Sequence, residues 1–137
     1  MIKKATVNWI DGFRLEGKTD NGMTVKMDSG ENATAASPAQ LILQSLAGCT
    51  MMDCYLIFSK ARKNIKKFWV DVDAEEVETQ PKVFKSIHLT YNINSDDITD
   101  ADAERAIKLS EEKYCRVHAM LSGKVNLSSS YKINKVS

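Results

Sequence analysis

The segment SPAQLILQSLAGCTMMDCYLIFSKAR, Ser37–Arg62, decides how this chain folds. Ser37 followed by Pro38 opens a helix. A serine side chain suits the cap, and proline suits the first helical position, where no amide donor is needed. The helical pattern runs to about Arg62 or Lys63, roughly 26 residues or ~39 Å at the α-helical rise. Leu41, Ile42, Leu43, Leu46, Ala47, Met51, Met52, Tyr55, Ile57 and Phe58 cover most of its circumference. A helix apolar nearly all round must be covered on several sides. It is also longer than a domain of 137 residues easily encloses. The expectation is a homodimer in which two such helices share one core.

Around this helix the chain reads as strands and turns. Lys4 to Trp9 alternates weakly. Phe13 to Lys18 and Met23 to Asp28 flank Asn21-Gly22, a strong hairpin signal. Asp28 to Ser37 is small and polar, hence a loop. Trp69 to Glu78 and Val83 to Ile93 read as strands joined at Thr79-Gln80-Pro81. The second alternates cleanly, with Ile87, Leu89, Tyr91 and Ile93 on one face and Ser86, His88, Thr90 and Asn92 on the other. Asp97 or Thr99 caps a second helix, running through Ala103, Ala106, Ile107 and Ser110 to Tyr114. Ser122-Gly123 breaks it, and Lys124 to Ile133 alternates again. The fold class is α+β, an antiparallel sheet with one long and one shorter helix, and residues 1–137 form a single domain.

Bulk composition narrows the function. The chain is 43% apolar and 27% charged with two prolines, which fits a globular core and not disorder. A net charge of +1 offers no basic surplus for nucleic acid. The first residues lack the apolar stretch of a signal peptide, and polar residues interrupt the long apolar segment. The expectation is a cytoplasmic protein with no membrane and no nucleic-acid partner. Three cysteines in such a chain are not a disulfide framework.

Two cysteines sit in segments that look built for them. Cys49 lies mid-helix after Gly48. A mid-helix glycine costs about 1 kcal/mol relative to alanine, and close approach of another chain or a ligand is a frequent reason to keep one. Asp53, four residues on, shares the face of Cys49. A carboxylate beside a thiol raises its pKa. Asp53 is therefore paired with a cation, or orients one toward the sulfur, or satisfies a polar partner across the dimer. Cys54 points ~140° away around the helix and reads as core. Cys115 stands between Tyr114 and Arg116 at the end of the second helix, where the dipole disfavours a thiolate and Arg116 could offset it. That makes Cys115 the second, resolving thiol. His118 could be a base, but reads first as an ordinary polar residue at a helix start, and His88 reads as solvent-exposed. No close pair of ligands supports a metal site from Cys49, Cys115 and His118, so neither metal nor other cofactor is expected.

With these segments in hand the chain resembles the OsmC/Ohr family of osmotically inducible and organic-hydroperoxide-resistance proteins. The resemblance rests on Ser37-Pro38-Ala39-Gln40-Leu41, on Leu46 to Asp53, on Pro81 to Phe84 with Ile87-His88-Leu89, and on Arg105 to Ile107 with Ser110 to Cys115. The Trp9-Ile10-Asp11-Gly12 opening is similar to an OsmC-like branch. The resemblance implies an intertwined α+β homodimer, with antiparallel sheets around two long central helices. It implies a thiol peroxidase in which Cys49 attacks an organic hydroperoxide and Cys115 closes a disulfide. A dithiol reductant, a lipoylated protein or a small dithiol, would reopen it. Met51, Met52, Phe58 or Tyr114 would hold the substrate's apolar tail. The best-studied branch stabilises its thiolate with an N-terminal arginine held by a helical glutamate. The glutamate position is Ala39 here, beside neutral Gln40, and Arg14 and Lys18 lie in the arginine's region. A non-catalytic thiol sensor or small-molecule-binding dimer on the same scaffold is the alternative.

Overall fold

Asn21-Gly22 turns the chain as expected, with Gly22 at φ +92°, a backbone conformation that glycine adopts without strain. The computed structural model describes residues 1–136. They divide into two units, residues 1–42 and the chain from Leu43 onward. In the first, β1 (Ala5–Asp11), β2 (Arg14–Thr19) and β3 (Thr24–Met27) form an antiparallel meander. Every residue of β1 is exposed, Trp9 to 71%. Asp28 closes the following loop by accepting from the amides of Ser29 at 2.7 Å and Thr34 at 2.9 Å. These bonds, the Thr34 amide first, hold its carboxyl below the usual range.

The start of the long helix matches the Ser37-Pro38 signal. The Ser37 hydroxyl accepts from the Gln40 amide at 3.2 Å, and the Gln40 side chain accepts from the Ser37 amide at 2.9 Å. This reciprocal cap satisfies two otherwise orphaned donors. Helix α1 spans Pro38–Lys60, ending slightly before the expected Arg62 or Lys63. The stop is a Schellman turn: the Lys63 amide reaches the Phe58 carbonyl at 2.9 Å, and Arg62 takes φ 58°. Neither glycine nor proline marks this stop, so the sequence pattern runs through it. By length and hydropathy α1 is apolar enough to cross a membrane. Its Leu46, Cys54 and Phe58, however, are buried in a core cluster with the second unit's sheet.

That sheet has the order β4 (Lys67–Glu76), β5 (Phe84–Asn94), β6 (Asn126–Asn134). Ile87, Leu89, Tyr91 and Ile93 of β5 are all buried, as their alternation predicts. β4 and β5 are antiparallel, but β5 and β6 are parallel. Here the structure corrects the wholly antiparallel expectation. The helical segment between β5 and β6 crosses back over the sheet before the chain re-enters it, which is what a parallel pair requires. That segment is α2 (Asp100–Leu109), a π-helical turn (Ser110–Tyr114) and α3 (Arg116–Leu121). Thr99, not Asp97, caps α2, in a capping box with Asp102. Asp97 instead accepts from the Asn64 amide at 2.9 Å, and Lys63 meets Asp102 at 3.3 Å. These contacts tie the end of α1 to the start of α2.

Phe58 is 1% exposed and meets Phe68 edge-on, centroids 6.4 Å apart. Its truncation leaves a cavity that this packing cannot collapse. Phe58→Ala is expected to cost about 3–5 kcal/mol, read as a lower denaturant midpoint at unchanged slope. A loss below about 1 kcal/mol would mean that this end of α1 is not core.

Candidate functional site

The π-helical turn builds the site. Continuing α2 with one wider turn gives the bond from the Cys115 amide to the Ser110 carbonyl at 2.7 Å. Such turns recur at functional sites because they redirect a side chain without ending the helix. Here the turn faces α1: the buried Ser110 hydroxyl donates to Asp53 Oδ2 at 2.8 Å. Cys115 then leaves helical geometry and caps α3, its sulfur accepting from the His118 amide at 3.3 Å. Cys115 stands at the end of the second helix, as expected, as the C-cap of the π-helical turn, and it is at the same time the N-cap of α3.

The two cysteines, remote in sequence, meet within one chain. Cys49 Sγ, Cys115 Sγ and an Asp53 carboxylate oxygen lie within 4.8 Å of one another. Cys49 is half-buried, while Cys54 and Cys115 are buried. Burial is the main force pushing the Cys115 thiol up to about 12, followed by its hydrogen bond with Cys49. Burial also pushes Cys54 up to about 12, with the Asp53 and Glu111 carboxylates adding to it. Glu111 is itself held, accepting from Tyr91 at 2.8 Å and from Ser129 at 3.1 Å. Burial raises the fully buried Tyr91 hydroxyl above its ordinary value.

The structure gives Asp53 a polar partner within its own chain, Ser110, which none of the expected readings named; among the described residues Asp53 makes no ion pair. The other expected supporting groups have these partners. Gln40 serves the cap of α1. Arg14 pairs with Asp11 at 3.1 Å on the β1–β2 turn, and Lys18 is exposed on β2. Arg116 is exposed at the first position of α3. His118 contributes its backbone amide. His88 is not free in solvent: its ring nitrogens meet the hydroxyls of Ser128 at 2.7 Å and Ser130 at 3.0 Å.

Beside Asp53 lies a cavity of about 610 Å³, lined among others by Leu56, Lys60, Arg105, Leu109 and Tyr114. Of the four residues expected to form a pocket, Tyr114 lines it. Phe58 does not: it points into the core, on the side of α1 away from Leu56. Met51 is half-buried and Met52 is 75% exposed on α1. Sequence reasoning missed Ser110, Lys60 and Arg105. Only Ser110 carried a signal, as a small polar residue within an apolar helical stripe.

Exposure and charge order the thiols. At neutral pH iodoacetamide is expected to modify Cys49 at least roughly tenfold faster than Cys54 or Cys115, because the thiolate is the nucleophile. The two raised groups are thiols well below pH 12, so their rates should climb with each pH step toward it. Peptide mapping by mass spectrometry reads the order. Equal rates at all three sites would contradict the burial described here.

A family model described as OsmC-like protein matches residues 30–130. Protein YhfA of Escherichia coli strain K12 is 33% identical over 130 residues, covering 95% of this chain and 97% of that protein. The crystal structure of a hypothetical protein from Aquifex aeolicus VF5 superposes with a TM-score of 0.88 at 27% identity, over 100% of this chain and 99% of that one. An organic hydroperoxide resistance protein OsmC from Legionella pneumophila shares the fold, with a TM-score of 0.66 at 17% identity over 96% and 97% of the two chains.

Proposed function

The chain belongs to the OsmC-like family, and on that premise we propose that it is a thiol peroxidase for organic hydroperoxides. The observation that carries the reading is the convergence of a half-buried and a buried thiol, from separate elements, within 4.8 Å. The Cys49 thiolate attacks the terminal peroxide oxygen; the O–O bond breaks, the sulfur is oxidised to a sulfenic acid, and the alkoxide leaves as an alcohol after taking a proton. The Cys115 thiol then attacks the sulfenate sulfur. A disulfide forms, and water leaves, made from the sulfenic hydroxyl and the thiol proton. Asp53 is the nearby carboxylate that can pass that proton. A dithiol, a lipoylated protein or a small molecule, restores the pair by exchange.

The working form in this reading is a cytoplasmic homodimer of single-domain chains, with no nucleic-acid or membrane partner. Two observations support the dimer. A Cβ built on Gly48 meets nothing within 4 Å among the described residues outside its own helix backbone, so no close neighbour there requires a glycine mid-helix. Ser45, Met52 and Tyr55 are exposed around it at helical spacing, the last two at 75% and 60%. An apolar stripe with small residues at its centre suits close approach of a second helix.

The test is one equivalent of organic hydroperoxide added to reduced protein, with the oxidised cysteines mapped by mass spectrometry. A rapid Cys49–Cys115 disulfide supports the reading, and unreacted thiols would overturn it. The cavity favours a second reading, a dimer that binds small molecules: Lys60 and Arg105 beside apolar Leu56 and Leu109 suit an amphipathic anion. In that case hydroperoxide leaves the thiols unchanged, while a fatty-acid probe binds and is released by Arg105→Ala.

A further inference from the structure

Two thiols and a carboxylate converging on one point have a chemistry apart from peroxide. In a tetrahedral zinc site, with Zn–S about 2.3 Å and Zn–O about 2.0–2.2 Å, neighbouring donor atoms stand about 3.4–3.8 Å apart. Cys49 Sγ, Cys115 Sγ and the Asp53 oxygen already lie within 4.8 Å of each other. Closing the difference takes about 1 Å, within reach of side-chain torsions. We propose that the reduced protein binds one zinc ion per chain through Cys49, Asp53 and Cys115, with the fourth position left for water or an added ligand.

The supports of these atoms are those a metal site needs. Cys49 and Asp53 stand at i and i+4 on the long helix, so their spacing is rigid. Cys115 is held on both sides, by its amide bond to the Ser110 carbonyl at 2.7 Å and by the His118 amide on its sulfur at 3.3 Å. The Ser110 hydroxyl on Asp53 Oδ2 orients the carboxylate, as outer partners of metal ligands do. Two sulfurs and one oxygen match zinc, where an all-oxygen set would match magnesium or calcium. His118, the third ligand weighed from the sequence, offers only its amide here, and Asp53 takes its place.

The balance is simple. Each thiol gives up its proton to become a metal-bound thiolate, so two protons are released per zinc and no electrons move. Affinity therefore rises with pH. A thiolate engaged by zinc is also withheld from peroxide, so the metal form is a resting, protected state of the dithiol. The proposal goes beyond the peroxidase reading, and its readout is bound metal, not turnover.

The experiment titrates reduced full-length protein with zinc against a chromophoric chelator, and separately with cobalt(II), whose near-ultraviolet charge-transfer band reports thiolate ligation. The expected result is one metal per chain, with a thiolate band in the wild-type protein. Cys49→Ser and Cys115→Ser should each weaken zinc at least roughly 100-fold, and Ser110→Ala about tenfold. Cys54→Ala should leave affinity unchanged. Because a variant can fail to fold, the cobalt spectrum of the unaltered protein decides independently. The proposal is overturned if that spectrum lacks the thiolate band, or if folded Cys49→Ser and Cys115→Ser proteins bind zinc as the wild type does.

Discussion

Cys49→Ser is expected to lower organic hydroperoxide consumption by at least roughly 10³-fold, because a serine hydroxyl offers no thiolate and cannot be carried to a sulfenate. Cys115→Ser should behave differently. Its first turnover proceeds at near the wild-type rate, since the sulfur that attacks is intact, and then stops at a sulfenate that a dimedone probe traps. Steady-state turnover with a dithiol falls as far as direct reduction of that sulfenate is slower than disulfide exchange. The contrast comes from position: Cys49 is half-buried and Cys115 buried, with its thiol pushed up to about 12 by burial. Stopped-flow consumption with mass spectrometry separates the two variants. Full activity in Cys49→Ser, or a trapped sulfenate on Cys115, would reverse the assignment.

Gly48→Leu is expected to dissolve the proposed dimer while leaving the protomer folded. Leucine favours the helix over glycine by about 1 kcal/mol, and a Cβ at Gly48 meets nothing within 4 Å among the described residues outside its own helix backbone. Across a helix crossing the effect has the opposite sign. Overpacking costs typically 1–3 kcal/mol, and a two-fold interface meets the substitution twice. The total, about 2–6 kcal/mol, weakens the dimer roughly 30-fold to 10⁴-fold. Sedimentation at graded concentrations measures the shift, and circular dichroism checks that the helix persists. A dimer of unchanged affinity would place the interface on another surface of α1. A wild-type protein that sediments as a monomer would remove the expectation of shared helices altogether.

Local chemistry made much of the fold legible. Ser37-Pro38 marked the start of α1 because a hydroxyl cap and an absent amide serve only the first turn of a helix. Asn21-Gly22 marked the hairpin because few residues take positive φ at no cost. The alternation of Ile87, Leu89, Tyr91 and Ile93 marked the buried face of β5 because successive side chains of a strand point to opposite sides. The stop of α1 was not legible, because Arg62 takes a conformation usually left to glycine. Nor was the direction of β6, whose own alternation is the same whether it runs with β5 or against it.

The candidate site divides along the same line. The sequence by itself determined that Cys49 and Asp53 share a helix face and that Cys54 does not, since both follow from a period of 3.6 residues. It also singled out Cys115 by its surroundings. The tertiary structure alone decided that Cys115 comes within 4.8 Å of Cys49 and Asp53, that Ser110 holds the carboxylate, and that Lys60 and Arg105 share one cavity. The physical reason is range. Caps, turns and periodicity act over a few residues and are written in neighbouring letters. The meeting of α1 with the π-helical turn depends on how a core built from both elements and β5 packs, and that balance is struck only when the whole chain has closed around it.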